Sequence, residues 1–203
     1  EYRRLCYNGC CGGNLPYFAK WRAIVMELTE KTLESKLVYQ GVIVTVRMDR
    51  ALLINGRNVP REVVEHPGGV AVLPLHSDGT VTVVRQYRYP FHRVLTELPA
   101  GKLEAGEDPR LCALRELEEE VGLVPGELTD LGCLYLSPGY STEVLHLYLA
   151  RELTRRPCHP DENEFLEADR LPFAVLAQQV MSGALSDAKT VAGVLKVKQL
   201  LGI

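Results

Sequence analysis

The sequence predicts a mixed α/β domain in which helices pack on sheet, and three observations carry the prediction. Short runs rich in Val and Ile, bounded by Gly, Pro and Asn, fill most of residues 37–150. One capped helical segment interrupts them at 109–121, and two more helical patterns close the chain at 173–181 and 187–201. The 203 residues suit one domain with a short extension, and 46% hydrophobic with 24% charged residues is an ordinary globular composition. No run of about 18 apolar residues exists, so no membrane partner is expected. A formal net charge of −3 argues against a nucleic-acid partner held by a basic surface.

Residues 1–25 differ in texture from the rest, with no acid after Glu1 and a cluster of Cys6, Cys10 and Cys11. They read as a flexible extension, and the folded domain is placed at 26–203. Six cysteines that form no disulfide framework point to a reducing, cytoplasmic setting. Residues 37–47 (LVYQGVIVTVR) read as one strand, and Asn55-Gly56 marks a hairpin into Val59 to Val64. Pro67-Gly68-Gly69 is a turn, followed by strands from Val70 to Leu75 and from Val81 to Tyr89 around Ser77-Asp78-Gly79. A short strand runs from Leu95 to Leu98. Two more, Leu131 to Leu136 and Glu143 to Ala150, flank the Pro138-Gly139 turn, and 155–164 is a polar loop.

The central helix is defined at both ends. Asp108 suits the N-cap, Pro109 the first helical position, and Gly122 the position just past the last turn. On that helix Glu116 and Glu120 lie about 40° apart, with Glu119 about 60° to the other side, so three carboxylates share one stripe. Leu114, Leu117 and Val121 fall on another face and can pack on the sheet. Like charges at this spacing oppose the helix unless a cation joins them. An all-oxygen ligand set suits Mg²⁺, or Mn²⁺, which takes one or two carboxylates and leaves room for substrate phosphates.

Residues 101–123 fit Gly-x5-Glu-x7-Arg-Glu-aliphatic-x-Glu-Glu-x-Gly-aliphatic without a mismatch, through Gly101, Glu107, Arg115, Glu116, Leu117, Glu119, Glu120, Gly122 and Leu123. This resembles the Nudix box of the Nudix hydrolases. Residues 61–72 (REVVEHPGGVAV), 85–90 (RQYRYP) and 97–101 (ELPAG) are similar to the ADP-ribose pyrophosphatase branch, as is Pro138, fifteen positions after Leu123.

The resemblance implies an α/β/α sandwich with a mixed sheet and a homodimer in which strands from residues 37–64 are exchanged. It implies Mg²⁺ (or Mn²⁺) held by Glu116, Glu120 and the Ala100 carbonyl, with Glu119 beside them. Gly101, Glu107, Arg115 and Gly122 become supporting residues of the box, Arg115 holding helix and loop in register. A downstream loop glutamate is the general base, Glu162 favoured over Glu164. Arg61, Glu62, Arg85, Arg88, Glu97 and Gly139 stand among the substrate-binding positions, Arg88 favoured over Arg85 for a phosphate and Arg61 and Glu62 near the adenine. The implied activity is hydrolysis of ADP-ribose to AMP and ribose 5-phosphate. Hydrolysis of other nucleoside diphosphate sugars, such as GDP-mannose or ADP-glucose, stays open, as does a non-catalytic ADP-ribose sensor.

Overall fold

The computed structural model describes residues 28–158 and 165–202. The extension expected at 1–25 and the two base candidates, Glu162 and Glu164, lie outside them. The chain divides into two compact units, one running through His66 and taking in Ser137–Glu143, the other comprising Pro67–Leu136 and Val144 onward.

The first unit is an antiparallel sheet of β1 (Lys31–Gln40), β2 (Thr45–Leu52) and β3 (Asn58–Glu65), with β2 in the middle. The single strand expected at 37–47 is two strands. The break falls at Gly41, whose N–H donates to the Val44 carbonyl at 2.9 Å. A Cβ at Gly41 would lie 2.7 Å from the Tyr39 ring, so the chain turns where only a hydrogen fits. The Asn55-Gly56 hairpin forms as expected, with Gly56 at φ +80° and its N–H donating to Leu53 O at 3.0 Å. Segment 137–143 joins this unit through Val64 N–H to Tyr140 O at 2.7 Å and Thr142 N–H to Val64 O at 2.9 Å.

The second unit holds two sheets. One is β10 (Leu166–Pro172), β5 (Thr80–Arg88) and β6 (Arg93–Glu97) in that order; the other is β7 (Ala100–Lys102), β4 (Gly69–Pro74), β9 (Val144–Arg155) and β8 (Leu123–Tyr135). All of β4 is buried, and its central pairing with β9 is parallel. That is the state of a strand covered on both faces. Alternate residues divide between two cores. Ala71 and Leu73 join Leu145, Leu147 and Leu149 under α2 (Phe173–Ser182) and α3 (Ala188–Leu201). Val70 and Val72 join Tyr148 and Ala150 under α1 (Pro109–Val121). The layers are therefore helix, sheet, helices, as the mixed α/β expectation required.

Three strand expectations change. Strand β8 begins at Leu123, eight residues before the expected start, and absorbs the irregularity between Asp130 and Cys133 with Gly132 at φ +87°. Strand β9 runs on to Arg155. Strand β10 was not expected from FLEADRLP. Its interior residues are exposed, so it shows no buried alternation, and its place comes from antiparallel pairing with β5.

Candidate active site

The site is built around the N-terminal and C-terminal anchors of α1. The Asp108 carboxylate accepts from the Arg110 and Leu111 amides, fixing the first turn. Gly122 closes the helix at φ 61°, and a Cβ there would stand 2.5 Å from the Arg156 carbonyl. The Cys158 thiol lies at the same end, donating to the carbonyls of Glu119 at 2.9 Å and Glu120 at 3.1 Å. Cys112, Ala113 and Leu117 are buried against the sheet, with Leu114 and Val121 at the margin. Held by that face, the helix turns Glu116 and Glu120 toward the β6–β7 connection and the start of β7, while the more exposed Glu119 meets Arg115.

The connection comes very close. The Ala100 N–H donates to Glu120 Oε2 at 3.0 Å, and Glu120 is only 5% exposed. A Cβ at Gly101 would overlap the Glu116 carboxylate. On the other side, a Cβ at Gly69 would lie 2.7 Å from the Gly101 carbonyl. Strand β7 is thus pressed between β4 and two carboxylates, and residue 101 has room for hydrogen alone.

Arg115 ties the same helix to the loop before it. Its Nε and Nη2 donate to the two Glu107 oxygens, each at 2.9 Å. Its Nη1 donates to Glu116 at 2.8 Å and Glu119 at 3.0 Å. The Glu104 amide also reaches Glu107, at 2.9 Å. The Arg115 guanidinium first, and that amide second, hold the Glu107 carboxyl down to about 2. Glu107 and the two helix carboxylates raise the Arg115 pKa in return.

A second ion network stands behind the β6–β7 connection. Arg88 grips Glu97 with both ends of its fork, Nε to Oε1 and Nη2 to Oε2, each at 2.7 Å. Lys189 Nζ donates to the same Glu97 Oε2 and, at 3.0 Å, to Asp187 Oδ1. Asp187 also caps α3, its Oδ2 accepting from the Thr190 amide at 3.0 Å and the Thr190 hydroxyl at 2.6 Å. The Thr190 oxygen accepts from the Leu98 amide at 2.8 Å. Glu97 is 1% exposed. Burial alone would raise its pKa, but the Arg88 fork and the Lys189 ammonium outweigh that and hold it below the usual carboxylate range. Arg88 is held charged first by Glu97, with Asp187 and Glu120 adding to the field.

The structure thus brings together Ala100, Gly101, Glu107, Arg115, Glu116, Glu119 and Glu120, with Arg88 and Glu97 alongside. Glu97, expected at the substrate, is buried with both oxygens committed to protein cations. Arg85 is apart from this group, on the surface, paired with Glu167 at 2.6 Å. Arg61, Glu62 and Gly139 belong to the other unit, where Arg61 grips Glu30 at 2.7 and 2.9 Å. Sequence reasoning missed Lys189 and Thr190. The available signal was spacing: Lys189 falls on one stripe with Gly193 and Val197, and both of these are buried.

Among the described residues no three Asp, Glu, His or Cys side chains form a ready cation cage. Mg²⁺ asks for less, since one or two carboxylates with substrate oxygens and waters suffice. Glu116 and Glu120 beside a backbone cleared of side chain at Gly101 fit that demand. The donors are oxygen only, which suits Mg²⁺ or Mn²⁺ rather than a thiolate-seeking metal.

A NUDIX domain model matches residues 65–192. A protein named ADP-ribose pyrophosphatase from Bacillus subtilis (strain 168) is 40% identical over 165 residues, covering 80% of this chain and 89% of its own. One from Bacillus methanolicus named methanol dehydrogenase activator is 39% identical over 167 residues, covering 81% of this chain and 90% of its own. A solved structure titled "Crystal structure of ADP compounds hydrolase" superposes with a TM-score of 0.77 over 88% of this chain and 97% of that one. At 24% identity it speaks for the fold.

Proposed function

The chain belongs to the Nudix family, and on that premise we propose that it hydrolyses the pyrophosphate bond of ADP-ribose, giving AMP and ribose 5-phosphate, with Mg²⁺. The observation that carries this reading is the approach of Ala100 and Gly101 to the Glu116 and Glu120 carboxylates. The similarity to the Bacillus subtilis ADP-ribose pyrophosphatase supports the choice of substrate.

Glu116, Glu120 and the Ala100 carbonyl would hold the ion, Mn²⁺ serving as an alternative, with Glu119 next to them. A bound divalent cation supplies charge neutralisation at pyrophosphate oxygens and a water made acidic enough to ionise near neutral pH. Arg88 binds a phosphate: Nε and Nη2 are committed to Glu97, and Nη1 takes no part in that grip. Glu162, or its neighbour Glu164, accepts the proton of the attacking water. As the water oxygen bonds to one phosphorus, the bridging P–O bond breaks, and AMP and ribose 5-phosphate separate.

Arg61 and Glu62 contribute near the adenine from the partner subunit of a homodimer built by exchange of the 37–64 strands. A turnover comparison of ADP-ribose with GDP-mannose at equal concentration and with Mg²⁺ tests the substrate. Faster turnover of ADP-ribose is expected; equal or faster turnover of GDP-mannose overturns the choice.

A further inference from the structure

Two cations, the partly exposed Arg88 and the buried Lys189, meet one buried carboxylate, Glu97, in the second unit. A surface salt bridge needs no third member, and a buried carboxylate gripped by a bidentate guanidinium already has its charge matched. Lys189 is 9% exposed, so its ammonium has been taken almost wholly out of water. Holding a second cation there demands Asp187, which bridges back to Lys189 and caps α3. The arrangement has a geometric effect. With Lys189 on Oε2, the Glu97 carboxylate has one orientation, and the fork of Arg88 must lie in its plane.

The same helix end holds the main chain that follows Glu97. Thr190, fully buried, accepts from the Leu98 amide at 2.8 Å. Gly193, one turn on, lets α3 lie so close that a Cβ would meet Leu98 Cδ1 at 2.8 Å. Two residues past Leu98, the Ala100 amide holds Glu120. The first turn of α3 therefore bears on both halves of the site at once, the phosphate-binding arginine and the backbone against the metal-binding carboxylates.

We propose that Lys189 is a positioning residue for the hydrolysis, acting through Glu97 to fix the Arg88 guanidinium toward the substrate phosphate. The assignment rests on the proposed pyrophosphatase reading. It needs no contact between Lys189 and substrate, and its effect runs through Arg88.

The test is a double-mutant cycle on full-length protein: wild type, Arg88→Gln, Lys189→Met, the double variant, and Lys189→Arg. The readouts are kcat and KM for ADP-ribose with Mg²⁺, with melting curves to score folding. Lys189→Met is expected to lower kcat/KM by about 10²-fold, the scale of a displaced positioning group. The double variant is expected to be no slower than Arg88→Gln alone, because Lys189 has nothing left to position. Lys189→Arg, which keeps the cation, is expected to recover most of the activity and keeps the test open if Lys189→Met fails to fold. Multiplied losses in the double variant, or equal damage from Lys189→Arg and Lys189→Met in folded protein, would overturn the proposal. A wild type inactive on ADP-ribose would sink the pyrophosphatase reading and this one with it, whereas an active wild type with multiplied losses would sink this one alone.

Discussion

Two arginines grip glutamates with the same bidentate geometry and live in different surroundings. Arg115, in the middle of α1, binds Glu107 across a short loop and sits on a half-exposed face with Glu116 and Glu119. Arg88, at the end of β5, is itself as exposed as Arg115, but the Glu97 it binds is buried, and there Lys189 and Asp187 complete a set of two cations and two anions. The Arg115 network belongs to one stretch, residues 102–119, and can reform locally after disturbance. The Arg88 network joins β5, β6 and the start of α3, with directly bonded partners as far as 92 residues apart in sequence, and exists only in the finished fold. On the proposed reading, the first network shapes the helix that would hold the metal and the second orients the side chain that would bind a phosphate.

Breaking each network at one member exposes the contrast most strongly. Glu97→Leu leaves the buried Lys189 with Asp187 alone and strips Arg88 of its carboxylate, and is expected to destabilise by about 3–5 kcal/mol. Arg115→Met removes a partly solvated cation, and about 1 kcal/mol is expected. Urea unfolding of both variants checks this. Equal losses would mean that burial does not distinguish the two networks.

A smaller effect sharpens the electrostatic side. The Glu107 carboxyl is held down to about 2 from an ordinary 4.5. Its folded-state value is depressed, so its contribution to stability is complete above 4.5 and is lost as pH falls toward 2. An NMR titration of the Glu107 side-chain carboxyl is expected to show its midpoint near 2 in wild type. In Arg115→Met the midpoint returns to the ordinary range. A midpoint unmoved by that substitution would assign the shift to the Glu104 amide instead.

The same contrast governs what was legible in the sequence. Helix α1 was readable end to end because its determinants are local: Asp108, Pro109 and Gly122 at the ends, Leu117 and the three glutamates at helical spacing. Helices α2 and α3 were readable for the same reason. The break at Gly41 was not, since Val42 and Ile43 continue a β-rich run and only the Tyr39 ring beside Gly41 shows why the chain turns. Strand β10 was hidden because its sequence is polar and its order comes from a neighbour 86 to 80 in reverse register. Glu97 was picked out by its place in ELPAG, yet its burial and its tie to Lys189 depend on how α3 seats on Leu98. Spacing within one element reports chemistry along that element; ion networks assembled from three elements leave little trace in any one of them.

The most direct test of the account is AMP release from ADP-ribose with Mg²⁺ by wild type and by Glu120→Gln. The substitution keeps the side chain's shape and removes the charge that faces Ala100, so a loss of about 10³-fold or more is predicted, on the scale of removing a principal electrostatic contact. Glu120→Gln protein that folds as wild type and still releases AMP at a comparable rate would contradict the assignment of α1 as the metal-binding helix.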